Sequence, residues 1–576
     1  MPRLRIAPAL FAAALSLACD PPNPPPPVPA AEISPSWPLA GKTRVEMGSK
    51  AMVVSGSPIA SEVGKNILEQ GGNAVDAAVA VGFALAVVHP EAGNIGGGGF
   101  MVIRQEDGTV NTLDYREAAP SGATRDMYLN ADGQPTDRSV TGALASGVPG
   151  SVAGLVAAHE RFGRLSWSAV IQPAIDLASD GFVVDEYRSE SIRDDSTRLS
   201  LFPASRASFL PDGKPPVPGS VLKQPDLART LEAIRDSRSA GFYRGWVADR
   251  IVTEMQQDGG LISHADLEAY RAEWRTPITI NYRKYTIYSM PPASSGGVTM
   301  GEIFNILEGY NPLPPFGAAE LLHLEAEAMR RAFTDRNTYL GDPAYVQMPL
   351  DRLLSKSYAA DLRKQINPAR ASVTPAFDPS LRQGGSTTHY SVVDAEGNAV
   401  SCTTTLNDSY GSAVTVTGAG FLLNDEMDDF ATAPGKPNMY GLVQGEANAI
   451  APGKRMLSAM TPSIVLDPKG NLLLVVGTPG GPRIITMVFE VISNVIDHQM
   501  GLPDAVSAPR MHHQALPDTM RVETDGFLPS TIIRLRQMGH RVKAGGYSGD
   551  IEAIIRVPNG WQGVSDPRRG GGGSGY

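Results

Sequence analysis

Cysteine is nearly absent: two in 576 residues, Cys19 and Cys402. If Cys19 is lost or modified at the N-terminus, no disulfide is left to hold the fold, and stability must come from the core. Runs of Lys and Arg are missing too. With 50 basic against 60 acidic side chains and a formal charge of −10, nothing in the chain could follow a phosphate backbone, which excludes nucleic acid as a partner. No segment after the first twenty residues reaches the roughly 18 uninterrupted apolar residues of a membrane helix. Gly (60) and Pro (47) are plentiful but without collagen-like periodicity. The run Gly96 to Gly99 has neither the G-x-G-x-x-G spacing nor the Gly-Lys-Ser/Thr ending of a phosphate loop, so it reads as backbone packed close to another element. There is no internal repeat. A balance of 42% hydrophobic and 19% charged residues is that of a folded soluble protein.

The N-terminus reads as an export signal over residues 1–19: Arg3 and Arg5, an apolar stretch from Ile6 to Leu17, and small Ala18 before Cys19. Cys19 sits where a bacterial lipoprotein carries its lipid, although Ser16 stands where an aliphatic residue is usual. Lipid anchoring and plain secretion both remain open, and either places the protein in the periplasm or outside the cell. Residues 20–40 follow as a Pro-rich tether.

Helices are expected over residues 57–70 and 73–89, the second apolar all round and therefore buried. A hairpin follows, from Phe100 to Arg104, through Asp107-Gly108, into Tyr115. Residues 150–375 read as largely helical, with one clear helix over 318–334. From Thr387 onward β-branched runs take over, at 389–393, 399–406, 464–466 and 472–476. Turns at 394–398 and 468–471 pair them as hairpins. Helical patterns return at 483–497 and 529–538, predicting an α/β protein with helices outside the sheets. The stretch Gly570 to Gly575 reads as a flexible tail.

The boundary at Thr387 invites a chemical reading. A Thr hydroxyl is a weak nucleophile unless a base takes its proton, and a free α-amino group on the same residue is such a base, with a pKa of about 7.7–8.0. That reading requires cleavage between Ser386 and Thr387. On local chemistry alone, a Thr opening a strand is an ordinary β-former.

The surrounding motifs decide between these readings. Thr387-Thr388-His389-Tyr390-Ser391-Val392-Val393-Asp394, then Leu422 through Phe430 with Asn424-Asp425-Glu426-Met427-Asp428-Asp429, then Pro479-Gly480-Gly481, together with Gly93 to Met101 and Asp114-Tyr115-Arg116-Glu117, resemble the γ-glutamyltransferase (glutathione hydrolase) family. The resemblance spans about Val53 to Pro567 and is weakest in the middle third. It implies an N-terminal-nucleophile hydrolase, a four-layer αββα sandwich that cuts itself into a large subunit (41–386) and a small catalytic one (387–576). The two pieces stay together as a heterodimer. No metal or organic cofactor is implied.

By the same resemblance Thr387 is the nucleophile, first attacking the Ser386 carbonyl and later the substrate. Thr405 positions it, and Gly480 and Gly481 form an oxyanion hole, where two backbone N–H groups approach the developing charge. Arg116 grips the substrate α-carboxylate, which a guanidinium can do with two parallel hydrogen bonds. Asn407, Glu426 and Asp429 surround the α-ammonium, and Ser458 adds a hydroxyl on the carboxylate side. Where the family pattern has two serines this chain has Ser458-Ala459, so one contact is missing. Residues 434–441 resemble a mobile lid carrying Tyr440. The implied partners are glutathione and other γ-glutamyl compounds as donors, and water, amino acids or peptides as acceptors. His512-His513 is read as structural, since adjacent histidines on a regular element point apart.

Two alternatives remain: an acylase of the same fold acting on another acyl group, and an unprocessed envelope lipoprotein that only binds ligands. Arg116, Asn407 and Asp429 suit an α-amino acid head and speak against the first. Intact Thr387, Thr405, Gly480 and Gly481 speak against the second.

Overall fold

The computed structural model describes residues 31–374 and 387–576; the signal segment, the start of the tether and Ser386 lie outside the described residues. Two seven-stranded sheets stack at the centre. One runs Arg44–Gly48, Gly560–Ser565, Glu552–Val557, Leu472–Gly477, Ser463–Leu466, Tyr285–Ser289 and Ile278–Tyr282. The other runs Gly572–Gly575, Met52–Ser55, Thr387–Val393, Ala399–Thr405, Gly98–Arg104, Val110–Asp114 and Glu273–Arg275. Each sheet interleaves strands from before and after residue 386. Helices cover both outer faces, completing four layers, αββα.

Local sequence explains the first helical layer. Asn73 caps the helix Ala74–Val88, its side chain accepting from Val75 and Asp76 N–H while Asp76 accepts from the Asn73 N–H. All fifteen helix residues are buried, which is why the segment shows no polar stripe. It packs between the helices Pro58–Glu69 and Trp167–Asp180 and the sheet residues Val392, Val400 and Cys402. On the opposite side, Gly296–Leu307, Ala319–Tyr339 and Arg483–Ile496 cover the other sheet through Ile280, Ile464 and Val475.

The hairpins at Thr387–Val393/Ala399–Thr405 and Ser463–Leu466/Leu472–Gly477 form where the sequence places them. Three expectations need correction. The middle region is not helical throughout: Ile278–Tyr282 and Tyr285–Ser289 pair as a hairpin inside a central sheet. Its turn residues Arg283 and Lys284 both adopt positive φ, 49° and 75°. That is the backbone of a tight hairpin turn made without the Asn-Gly or Asp-Gly that would announce it.

The glycine-rich end is not a free tail. Gly572–Gly575 pairs antiparallel with Met52–Ser55, and the Lys50 N–H donates to the Tyr576 carbonyl at 2.7 Å. A Cβ at Gly571 would fall 2.0 Å from Glu552 Oε1, and one at Gly575 2.6 Å from Met52 Cε. The glycines answer close packing there, not a need for mobility.

The tether, finally, is shorter than 20–40. Ile33 bridges Phe527, and Trp37, 5% exposed, donates its indole N–H to Ser507 O at 2.8 Å. An aromatic and an aliphatic side chain dock this stretch on the body.

Candidate active site

The nucleophile candidate is placed by strand pairing. Thr387 opens its strand directly opposite Thr405, and their Oγ1 atoms lie 3.2 Å apart. Both are nearly buried, 5% and 3% exposed. Thr405 Oγ1 also accepts from the Asn407 N–H at 2.8 Å. Asn407 is held at φ 83° and donates its Nδ2 to Asp425 O. The neighbouring strand approaches closely because Gly97 has no side chain: a Cβ there would sit 2.1 Å from Thr405 O.

Across from the hydroxyls lies a buried charge cluster. Arg116 follows the strand Val110–Asp114 and is 1% exposed. Its Nη1 pairs with Glu426 Oε2 at 2.6 Å and lies 3.5 Å from Glu117 Oε2. Its Nη2 donates to Asp429 Oδ2, and its Nε to Met456 O. One cation thus faces three acids. Burial works against the charged guanidinium, but Glu426, Asp429 and Glu117 outweigh it and raise its pKa. The acids respond in kind. Burial pushes Glu117 up to about 7 despite Arg116, lifts Asp429, and lifts Glu426 well above the usual carboxylate range. Glu426 Oε1, unlike the Oε2 that pairs with Arg116, has no hydrogen-bond partner among the described residues, so it could take one from a ligand's ammonium.

Ser458 and Ala459 form another wall, with Ser458 Oγ accepting from the Met460 N–H at 3.1 Å. Tyr440 closes the pocket from the 434–441 loop. Its hydroxyl donates to Asn407 Oδ1 at 2.7 Å, and the Met439 N–H donates to Asp428 Oδ2. Gly481 lines the pocket beside the Tyr440 ring, and Gly480 precedes it in the same turn; the φ values of Gly481 and Gly480 are 57° and 142°. Neither glycine N–H donates to an acceptor among the described residues. The free volume between these walls is ≈ 20 Å³, room for about one water.

The structure therefore gathers Thr387, Thr405, Asn407, Arg116, Glu426, Asp429, Ser458, Tyr440 and Gly481 around one pocket, with Gly480 just behind. Sequence reasoning missed Arg336, which lines the same pocket from the end of the long helix Ala319–Tyr339, and Ser295, which holds it. Their segment carries the least distinctive motifs, and nothing in it announced them.

The histidines go elsewhere. His512 bonds Thr486 and Gln514, while His513 bonds Asp518 and the Ala515 N–H. His323, Glu327 and His540 also bring donor atoms within 4.8 Å of one another. There Glu327 accepts from Ser372, Arg330 and Arg331, and the two histidines bond each other. Internal hydrogen bonds account for that cluster.

Comparison with known proteins gives one family. The model for Gamma-glutamyltranspeptidase matches residues 60–576. A glutathione hydrolase proenzyme of Pseudomonas sp. (strain A14) is 48% identical over 90% of this chain and 92% of its own length. That of Escherichia coli (strain K12) is 44% identical over 98% and 97%. Among solved structures, the cephalosporin acylase from Bacillus halodurans superposes with a TM-score of 0.82 at 27% identity, covering 94% of this chain and 98% of its own.

Proposed function

The chain belongs to the γ-glutamyltranspeptidase family, and from that premise we propose that Thr387 both cuts the precursor and carries the γ-glutamyl group in turnover. The protein is a γ-glutamyltransferase and glutathione hydrolase, and its substrates are γ-glutamyl compounds. The observation that carries the site assignment is the Thr387–Thr405 hydroxyl pair facing the Arg116, Glu426 and Asp429 cluster across a single pocket.

In the first step Thr387 Oγ attacks the Ser386 carbonyl. The Ser386–Thr387 amide bond gives way to an ester as the Oγ proton passes to the departing nitrogen, which becomes the free Thr387 α-amine; water then hydrolyses the ester, leaving Ser386 as a carboxylate and restoring the Thr387 hydroxyl. That amine then takes the Oγ proton as Oγ attacks the γ-carbonyl of a donor. The unpaired N–H groups of Gly480 and Gly481 receive the charge that builds on the carbonyl oxygen. The proton passes to the leaving amine, and a γ-glutamyl ester remains. Water or an amino acid or peptide amine then takes the acyl group, and Oγ regains its proton.

Thr405 fixes the nucleophile's orientation. Glu426, Asp429 and Asn407 receive the donor's ammonium, while Arg116 and Ser458 serve its carboxylate. The loop with Tyr440 opens to admit the donor, since the closed pocket is too small for one. After cleavage the two pieces stay associated as a heterodimer, because Thr387–Val393 and Ala399–Thr405 lie between Met52–Ser55 and Gly98–Arg104 in one sheet. The enzyme is exported through residues 1–19, to the periplasm or beyond, with Cys19 as a lipid anchor in the membrane-bound form. No described helix is long and apolar enough to cross a membrane.

The acylase neighbour makes a same-fold enzyme for another acyl group the second reading. Two buried acids beside the pocket favour an acyl group that carries an ammonium. Hydrolysis of γ-glutamyl-p-nitroanilide, set against the glutaryl compound that lacks the ammonium, tests this directly. Preference for the glutaryl donor would move the assignment to the acylase reading.

A further inference from the structure

A second cavity, of ≈ 260 Å³ against ≈ 20 Å³ for the reaction pocket, shares no lining residue with it. Arg483, Arg510, Arg521 and Arg569 line this cavity, and Glu523 is the only acid among its lining residues. Glu523 is committed elsewhere: it accepts from Arg568 Nε and Nη2 at 2.8 and 2.6 Å, and from the N–H groups of Arg510 and Ser548. Arg510 is answered from behind, its Nη2 pairing with Asp566 Oδ2 at 2.6 Å. Burial works against the Arg569 charge, but Tyr187, Asp550, Glu91 and Asp566 outweigh it and raise its pKa.

Arg483 and Arg521 have no such support. The Arg483 side chain makes one hydrogen bond, Nε to the Gly480 carbonyl at 3.4 Å, and the Arg521 side chain makes none; neither forms an ion pair among the described residues. Burial pulls both below the ordinary arginine value, and the fields of Arg521 and Arg569 lower Arg483 further. Burial also holds His512, on the strand beside Arg521, down at about 3, so it stays neutral. Cations kept from water without a counter-ion are costly, and one anion in the cavity would relieve both arginines.

The backbone favours the same occupant. The helix Arg483–Ile496 begins at this wall with no acid in its first turn, so no side chain answers its positive end. On the rim, the N–H groups of Gly546 and Tyr547 meet no acceptor among the described residues. Only a thin wall divides the two cavities. Gly481 lines one and Arg483 the other, and Gln514 donates to the Tyr440 carbonyl at 3.3 Å while bonding His512 at 2.9 Å.

We propose that this cavity is an oxyanion site, in which Arg483 and Arg521 grip a small phosphate-like or carboxylate anion outside the γ-glutamyl pocket. Two sources carry that chemistry: free inorganic phosphate, and the terminal carboxylate of a peptide whose other end reacts at Thr387. The peptide source rests on the γ-glutamyl reading; the site itself does not.

The first test titrates inorganic phosphate into the mature enzyme by calorimetry, for wild type, Arg521→Gln, Arg521→Lys and Arg483→Gln, with Arg556→Gln, an exposed arginine outside the cavity, as control. Arg521→Gln should weaken phosphate about tenfold, the lower end for a charge-assisted contact, because Arg521 is only half-buried. Arg521→Lys should keep part of the affinity, and Arg556→Gln all of it. Self-cleavage and the phosphate-free thermal midpoint of Arg521→Gln should match wild type, since its side chain holds no other group in place.

The second test separates the sources through kcat/KM for glutathione, whose leaving dipeptide ends in a carboxylate, and for γ-glutamyl-p-nitroanilide, whose leaving group has none. A peptide carboxylate as occupant predicts that phosphate competes with glutathione alone, and that Arg521→Gln slows glutathione about tenfold while sparing the anilide. A free anion as occupant predicts that any effect of phosphate falls on both donors alike. Wild type that binds no phosphate, or binding that Arg521→Gln and Arg483→Gln leave unchanged or that Arg556→Gln weakens equally, would overturn the proposal. If Arg483→Gln fails to mature, Arg521→Gln decides alone. Wild type that binds phosphate but turns over neither donor would sink the γ-glutamyl reading and leave the oxyanion site standing.

Discussion

The two sides of the pocket are built on different principles. The nucleophile side is neutral and local: Thr387 and Thr405 face each other because a hairpin with a five-residue turn pairs their strands residue for residue. The recognition side is charged and assembled from afar. Arg116, Glu426 and Asp429, Ser458, and Arg336 come from separate segments, and only the fold brings them within reach. Bond-making chemistry therefore depends on backbone register, and selectivity on a buried charge balance that register does not control. If so, the two should fail separately.

The largest expected separation comes from Arg116→Lys. Lysine keeps the charge and loses the fork that holds Glu426 and Asp429, so turnover of γ-glutamyl-p-nitroanilide should fall about 100-fold, the range of one or two charge-assisted hydrogen bonds. Self-cleavage involves no external ammonium or carboxylate and should proceed, giving two bands on a denaturing gel. A single uncut band would show that the two sides are not independent.

Thr405→Val should do the reverse. It keeps the shape and removes the hydroxyl that meets Thr387 Oγ1 and accepts from Asn407 N–H. Both maturation rate and kcat should drop together, by about tenfold, with KM little altered. A change confined to KM would place Thr405 on the recognition side.

Legibility in the sequence divides along the same line. The strands around Thr387 and Thr405 are rich in β-branched residues and are joined by a recognisable turn at 394–398, so their pairing could be read directly. Membership of Arg116, Glu426 and Asp429 in one site came from motif resemblance. What each side chain touches did not, because nothing in a linear sequence shows that Arg116 meets three acids while Arg336 meets none. Arg336 was hidden in a helix of alternating charge, where an arginine reads as solvated surface. The hairpin at Ile278–Tyr282 and Tyr285–Ser289 escaped because Arg283 and Lys284 make its turn in place of glycine or asparagine. Gly570 to Gly575 misled in the other direction, since crowding and flexibility select the same residue.

The smallest expected effect sharpens the recognition side. Ala459→Ser restores the hydroxyl of the family pattern beside Ser458, and one hydrogen bond to a charged group contributes about 1.5–3 kcal/mol at most. Donor KM should fall by about tenfold, the lower end of that range, with kcat and maturation unchanged. A larger gain would mean that the wild-type wall is short of donors.

The central claim is that one hydroxyl serves both reactions, and N-terminal sequencing of the small subunit, run beside the Thr387→Ala variant, tests it most directly. The wild-type subunit should begin Thr-Thr-His-Tyr, and Thr387→Ala should stay a single chain without turnover. A small subunit with any other N-terminus, or a Thr387→Ala variant that still matures and hydrolyses γ-glutamyl-p-nitroanilide, would contradict it.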